Sequence, residues 1–392
     1  MTVRELRGVI YAPVGMAQTL AEELATLPPT LAEELGRYRF DREHLLELGR
    51  KLSDAGSADN RVQGAVTPPE PTDFSELPAR GSAEGRRLRD RGLELLRGGR
   101  AALVVLAGGM ATRMGGVVKA LVPALPGRTF LDLRLAERRS LERTVGREVP
   151  LWLMTSAATD AAVRDALGTE LDGYRTAAFP QCLSLRLTPE GRLFRDASGN
   201  PSHHAPGHGD LVDSLRDSGL LGTFVANGGK VVSMANLDNL GATLDPLLLG
   251  VHDAHGRPIT CEVVDKLESD RGGIPVRHGG RAVVLEEFRI PEHFDPAQVR
   301  VFNTNTFHFD ARALNEHRGP WTYFVVNKKV GGSVAIQFER LINEVTSHLD
   351  TMYVRVPRSG AESRFLPVKD NAELVARKNE IEAVARARGM LE

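Results

Sequence analysis

Leucines recur at helical spacing from Gln18 to Leu52 (Leu20, Leu24 and Leu27, then Leu31 and Leu35, then Leu45 and Leu48), and the Pro28-Pro29 pair interrupts them. The pattern predicts an N-terminal section of helices separated by a break. A polar stretch from Ser57 to Glu76, carrying Pro68, Pro69 and Pro71, reads as a long surface connection, and the basic run Arg86 to Arg97 as a solvated helix. From Ala101 the rhythm changes. Short apolar runs, Leu103 to Leu106, Leu151 to Met154 and Val231 to Met234, alternate with helical segments. Such alternation predicts an α/β fold with a mostly parallel sheet flanked by helices on both faces. In such sheets the ligand lies beyond the carboxyl ends of the strands, so the residues that end each apolar run are where chemistry belongs. The expected organisation is a helical section and linker over residues 1–98, a catalytic domain over 99–370 and a C-terminal helix over 371–392.

Composition narrows the field. With 392 residues, 42% of them hydrophobic, the chain can bury a full core. Lys+Arg 50 against Asp+Glu 51 leaves a formal net charge of -1, so no whole-molecule field favours nucleic acid or an anionic membrane, and neither is expected as a partner. No apolar run approaches the roughly 20 residues that span a bilayer. The first eleven residues carry Arg4, Glu5 and Arg7 and lack a signal-peptide core, and the two cysteines, Cys182 and Cys261, lack metal-ligand spacing. A reducing, cytoplasmic compartment is the expectation.

The first core strand runs into Leu106-Ala107-Gly108-Gly109-Met110-Ala111-Thr112-Arg113-Met114-Gly115-Gly116-Val117-Val118-Lys119. Glycines let backbone N–H groups approach phosphate oxygens, and Arg113 and Lys119 add positive charge. Alone, this segment fits a phosphate cradle or a plain strand-to-helix turn, and it matches neither the Walker pattern nor a full dinucleotide fingerprint. With the segments that follow, it resembles the eukaryotic-type UTP–glucose-1-phosphate uridylyltransferase (UDP-glucose pyrophosphorylase) family of the UDP-sugar pyrophosphorylase group. Those segments are Phe179-Pro180-Gln181, Pro206-Gly207-His208-Gly209-Asp210, Ser218-Gly219-Leu220-Leu221, Asn236 to Thr243, Val264-Asp265-Lys266, Phe302-Asn303-Thr304-Asn305, Asn327-Lys328-Lys329, Ile336-Gln337-Phe338-Glu339 and Arg364 to Lys369. The resemblance covers roughly residues 100 to 375.

It implies a Rossmann-like (GT-A-like) nucleotidyltransferase fold that joins UTP to a hexose 1-phosphate, foremost glucose 1-phosphate, with Mg²⁺. Carried over residue by residue, it implies that Leu106, Ala107, Gly108, Gly109, Gln181 and Gly207 contact the nucleotide, Gln181 reading the base. Asp238 is the implied metal ligand. His208, Asn236, Leu237, Lys266, Asn303, Glu339 and Lys369 are implied at the sugar phosphate, and Arg113, Lys119 and Lys329 at the reacting phosphates. Gln181 has both an amide donor and an acceptor, which suits a uracil edge, and a hard cation bridging phosphates wants an oxygen ligand such as Asp238.

The chain departs from the family in places. Ala111 replaces a glycine, the stretch from Met114 to Lys119 is one residue shorter and lacks a proline before the lysine, and the region near Lys329 is shortened. Arg358 and Arg364 flank an insertion at Gly360 to Ser363, and either could stand for the family arginine. The chain closes in a helical pattern (Leu374, Ala376, Ile381, Val384) soon after Lys369, so no C-terminal β-helix domain is expected, and the oligomeric state, monomer or dimer, stays open. Two rival readings remain: the same chemistry on another sugar 1-phosphate, such as N-acetylglucosamine 1-phosphate, or another nucleotide; and a non-catalytic nucleotide-sugar sensor.

Overall fold

In the computed structural model, residues 19–55, 60–111 and 114–391 are described. Eight strands form the central sheet: β1 (Phe74–Glu76), β2 (Ala101–Leu106), β3 (Leu151–Thr155), β4 (Thr176–Pro180), β5 (Val231–Asn236), β6 (Ile259–Asp265), β7 (Val301–Asp310) and β8 (Thr351–Arg355). Their order across the sheet is β1-β8-β6-β7-β5-β2-β3-β4. All neighbours run parallel except β7, which pairs antiparallel with both β6 and β5. The predicted mixed, mostly parallel sheet flanked by helices is what the chain forms.

The unbroken apolar runs are explained by cover on both faces. Alternate residues of β2, Ala102 and Val104 against Ala101, Leu103 and Val105, enter two separate clusters. The first cluster takes in the helices Leu211–Asp217 and Leu220–Ala226, the second Phe130–Val145 and Lys378–Ala387. A parallel sheet sandwiched in this way needs continuous hydrophobic strands. The helix Phe130–Val145 begins on a reciprocal Thr129–Asp132 capping box and ends on the left-handed Gly146. Among the described residues no helix is long and apolar enough to cross a membrane.

The N-terminal leucines form helices Leu20–Ala25, Pro29–Arg37 and Arg42–Ala55, with Pro29 at the first helical position of the second. Leu24, Leu35, Leu45 and Leu48 pack on Leu183, Leu185 and Leu187 and on Ile336 and Phe338 of the hairpin Phe324–Val330/Ser333–Glu339. Two expectations need correction. The described part of the 57–76 connection is more than a surface link: Val66–Thr67 pairs with Ile274–His278, and β1 forms the sheet edge beside β8. Pairing a three-residue edge strand takes little apolar pattern, so periodicity misses it. The basic helix, Ala83–Arg97, is solvated on one face only, since Leu88, Leu93, Leu95 and Leu96 are buried. It crosses the helix Pro246–His255 so closely that a Cβ on Gly92 would overlap the Pro246 carbonyl oxygen, and one on Gly250 the Leu88 carbonyl oxygen.

Candidate active site

The carboxyl ends of β2, β3, β4, β5 and β6 share one edge of the sheet, and several of the predicted residues lie there. Leu106 lies in register with Asn236, and Thr155 with Pro180. Ala107 is buried and donates its N–H to the Met154 carbonyl at 2.8 Å, so Leu106, Ala107 and Gly108 leave the sheet as backbone. Gly108 is the floor under Gln181: a Cβ there would run into Gln181 Nε2. Gln181 is itself 6% exposed, its N–H bonds to the Thr155 carbonyl at 2.9 Å, and its Oε1 is buried with no hydrogen-bond partner in the chain. A buried amide oxygen without a partner carries a desolvation cost that a donor from a ligand relieves. Gly109 is exposed beyond it, and its carbonyl accepts from Lys119 N–H at 3.2 Å.

Lys119 and Asp238 meet. Lys119 Nζ lies 2.6 Å from Asp238 Oδ2, and their side chains are 20% and 15% exposed. Asp238 follows β5 by two residues, and Leu237 between them is buried, so Leu237 can offer a ligand only its backbone. This turn is held from beneath by Arg134, 0% exposed, which donates to the carbonyls of Asn236 at 3.0 Å, Asn239 at 2.6 Å and Ala242 at 3.0 Å and pairs with Glu137 at 2.8 Å. On the neighbouring strand Asn305 adopts φ 55 and donates Nδ2 to Asn236 Oδ1 at 3.0 Å. A left-handed residue inside a strand is a strained conformation of the sort found at ligand sites.

Gly207 and His208 approach from a second direction. Gly207 has φ 97, and a Cβ there would come 2.8 Å from the Arg340 carbonyl oxygen, so only glycine fits this turn. Asp210 is the residue before the helix Leu211–Asp217. Its buried carboxylate accepts from Cys182 N–H at 2.5 Å and Ser214 Oγ at 2.5 Å and pairs with Arg340, which also binds Asp213 at 2.6 Å. His208 Nδ1 accepts the Ile342 N–H at 3.1 Å. Burial lowers its pKa to about 4, with Glu339 pulling the other way, so the ring is neutral and carries its proton on Nε2. Glu339 is occupied by Lys328 at 3.2 Å and by Gln337.

The third group lies where β6 ends and β7 begins. Lys266 donates Nζ to the Pro296 carbonyl at 3.1 Å. Asn303, 6% exposed, accepts from Asn305 N–H at 2.9 Å, and its Nδ2 would lie 3.4 Å from a Cβ on Gly273. Glu286 Oε1, absent from the sequence reading, would lie 2.9 Å from the same Cβ and accepts from Asn343 Nδ2 at 3.2 Å. Burial first, then the charges of Glu344 and Glu287, push its carboxyl up to about 7. Asn343 Oδ1 and Glu344 Oε1 are buried without partners, so this corner is rich in buried polar atoms.

The remaining predicted residues divide. Val368, just before Lys369, packs in the same cluster as Leu237, Ala120 and Met114, so Lys369 leaves that cluster beside the Asp238 turn and is exposed. Lys329 is exposed opposite Val334 on the two-stranded hairpin, outside the central sheet. Arg113 lies outside the described residues. Arg364 is 0% exposed and bound to Glu262 at 2.8 and 2.5 Å and to Thr243, so it belongs to the core. Arg358 sits nearer the sheet edge, paired with Asp270 at 2.8 Å and bonded to the Asp265 carbonyl. Among the described residues no three His, Cys, Asp or Glu groups converge as a metal cage. Asp238 alone suits a hard cation that takes its other ligands from phosphate and water.

A family model described as UDPGP, UTP–glucose-1-phosphate uridylyltransferase, matches residues 69–388. The UTP–glucose-1-phosphate uridylyltransferase of Saccharomyces cerevisiae is 31% identical over 302 residues, covering 71% of this chain and 59% of the yeast protein. The Hordeum vulgare protein of the same name is 31% identical over 297 residues, covering 70% of this chain and 61% of its own. The chain thus spans about three fifths of these relatives' length. Among solved structures, a UDP-glucose phosphorylase from Trypanosoma brucei superposes with a TM-score of 0.70 at 24% identity, covering 88% of this chain and 77% of that one, which shows a shared fold.

Proposed function

The chain belongs to the UTP–glucose-1-phosphate uridylyltransferase family, and on that premise we propose that it joins UTP to glucose 1-phosphate and releases pyrophosphate. The observation that carries the proposal is the pairing of Lys119 with Asp238 at the sheet edge, beside the glycine turn and the unpartnered Gln181 Oε1. In this reading Gln181 Oε1 accepts the uracil imide N–H, and the backbone of Gly108 and Gly109 lies along the nucleotide. His208 donates Nε2–H to the sugar phosphate, and Asn303 and Glu286 face the sugar hydroxyls.

An oxygen of the sugar phosphate attacks the α-phosphorus of UTP in line. The new P–O bond forms as the bond to the β-phosphate oxygen breaks, and pyrophosphate leaves with the electron pair. The nucleophile is an anion at neutral pH, so no general base is needed. The chain's work is to bring two anions together. Lys119 and Lys369 offset their repulsion, Lys329 adds charge from the hairpin, and Arg113 is proposed for the triphosphate. Mg²⁺, when bound at Asp238, supplies charge neutralisation on the phosphates. Two free cysteines and the substrates are in keeping with a cytoplasmic site of action.

The test is pyrophosphate release from UTP and glucose 1-phosphate with Mg²⁺, alongside Asp238→Ala. Release by the wild type and its near absence in the variant support the proposal, whereas equal rates remove Asp238 from the mechanism.

A further inference from the structure

We propose that Arg39, delivered by the N-terminal helices, is a positioning residue for the nucleotide site: it clamps the segment that carries Gln181 to the turn that carries His208. The proposal rests on the nucleotide reading of Gln181 given above.

Arg39 has φ 54 and is, with Asn305, one of two left-handed non-glycine residues among those described. From there its guanidinium donates to the Pro180 carbonyl at 2.7 Å, to Ser214 Oγ at 2.6 Å and to Asp217 at 3.0 Å, and it lies 3.9 Å from Asp210. Pro180 immediately precedes Gln181. On the far side of Gln181, Cys182 N–H is held by the Asp210 carboxylate and Leu183 N–H by the Tyr38 carbonyl at 3.0 Å. The base-reading residue is therefore bracketed, and its bracket comes largely from Tyr38 and Arg39. Through Asp210 and Arg340 the same guanidinium reaches the Gly207 turn, where the Arg340 carbonyl packs.

Docking of the helices needs no such residue, because the leucine cluster already provides it. A strained residue persists where its surroundings demand it, and here the demand comes from a planar fork that must serve a carbonyl, a hydroxyl and a carboxylate together. Lysine cannot reproduce that fork with one ammonium.

The experiment compares Arg39→Gly, Arg39→Met and Arg39→Lys with the wild type in UTP binding by calorimetry, in the KM for each substrate and in thermal unfolding. Glycine adopts this φ without strain, so Arg39→Gly folds even if the contacts are lost. The expected result is UTP binding weakened about tenfold in Gly and Met, with partial recovery in Lys. The KM for glucose 1-phosphate should rise less than that for UTP, because Arg39 touches Pro180 directly and the His208 turn only through Asp210 and Arg340. In a Gln181→Leu background Arg39→Gly should add little to the loss of UTP binding, because coupled residues are non-additive. A lowered Tm with unchanged UTP binding would overturn the proposal and leave Arg39 a docking residue. A wild type that binds no UTP would instead overturn the nucleotide reading itself, and this proposal with it.

Discussion

The ammonium of Lys119 lies 2.6 Å from the carboxylate of Asp238, and the two residues come from the loops that follow the adjacent strands β2 and β5. Each neutralises the other, at the place the proposed reaction assigns to the triphosphate and its cation. Asp238→Asn is expected to lower kcat/KM by more than about 100-fold, since charge stabilisation of several kcal/mol is removed. Lys119→Met should cost about 10²- to 10³-fold, as loss of a preorganised donor does. Steady-state kinetics of the two variants checks both values, and losses under tenfold would place the pair outside the reaction.

Gln181 Oε1 is buried and unpartnered, so its replacement should act on the nucleotide and spare the sugar. Gln181→Leu is expected to raise the KM for UTP by about tenfold or more, the cost of one hydrogen bond in a desolvated site. The KM for glucose 1-phosphate should change little. Competition between UTP and other nucleoside triphosphates reads the same residue, because the leucine variant should discriminate less.

His208 is held neutral with a pKa of about 4 against an ordinary 6.5. The folded state therefore favours the unprotonated ring, and the stability it contributes is present above pH 6.5 and lost as the pH falls toward 4. Activity should show no His208 limb near neutral pH. An NMR titration of the ring in the free protein tests this, and an inflection near 6.5 would contradict it.

Glu286 has the opposite behaviour for a carboxyl group, being raised to about 7 from 4.5. Between those values the folded chain keeps a proton that the unfolded chain has released, so stability falls as the pH rises through about 7. The Tm of the wild type should fall relative to that of Glu286→Gln over this range, whereas parallel curves would show an ionised Glu286.

The candidate edge of the sheet was legible where a residue type and a strand end coincide. Asp238 follows the run from Val231 and Lys119 closes the glycine segment, so position and residue type mark both, whereas Gln181 after Phe179-Pro180 stands out only through the family resemblance. Other contributors were hidden for physical reasons. Arg134 sits in a helix with many charges, and its burial shows only once its carbonyl partners, more than a hundred positions away, are brought to it. The antiparallel strand β7 breaks the apolar pattern because Asn303, Thr304, Thr306 and His308 are buried within it. Three of these polar side chains are satisfied by partners on other strands: Asn303 bonds Cys261 Sγ, Thr304 the Glu262 carbonyl, and His308 both Ser233 and Glu262. Asn305 and Arg39 owe their roles to a left-handed backbone, which no periodicity announces. Glu286 is visible only through Gly273 and Asn343, which tertiary structure brings to it.

The most direct measurement offers the purified chain an equimolar mixture of sugar 1-phosphates, including those of glucose and N-acetylglucosamine, with the nucleoside triphosphates and Mg²⁺, and identifies the product by mass spectrometry. The account predicts UDP-glucose as the dominant product, with pyrophosphate in equal amount. Another nucleotide sugar in its place would contradict the substrate assignment, and no product despite measurable UTP binding would contradict catalysis.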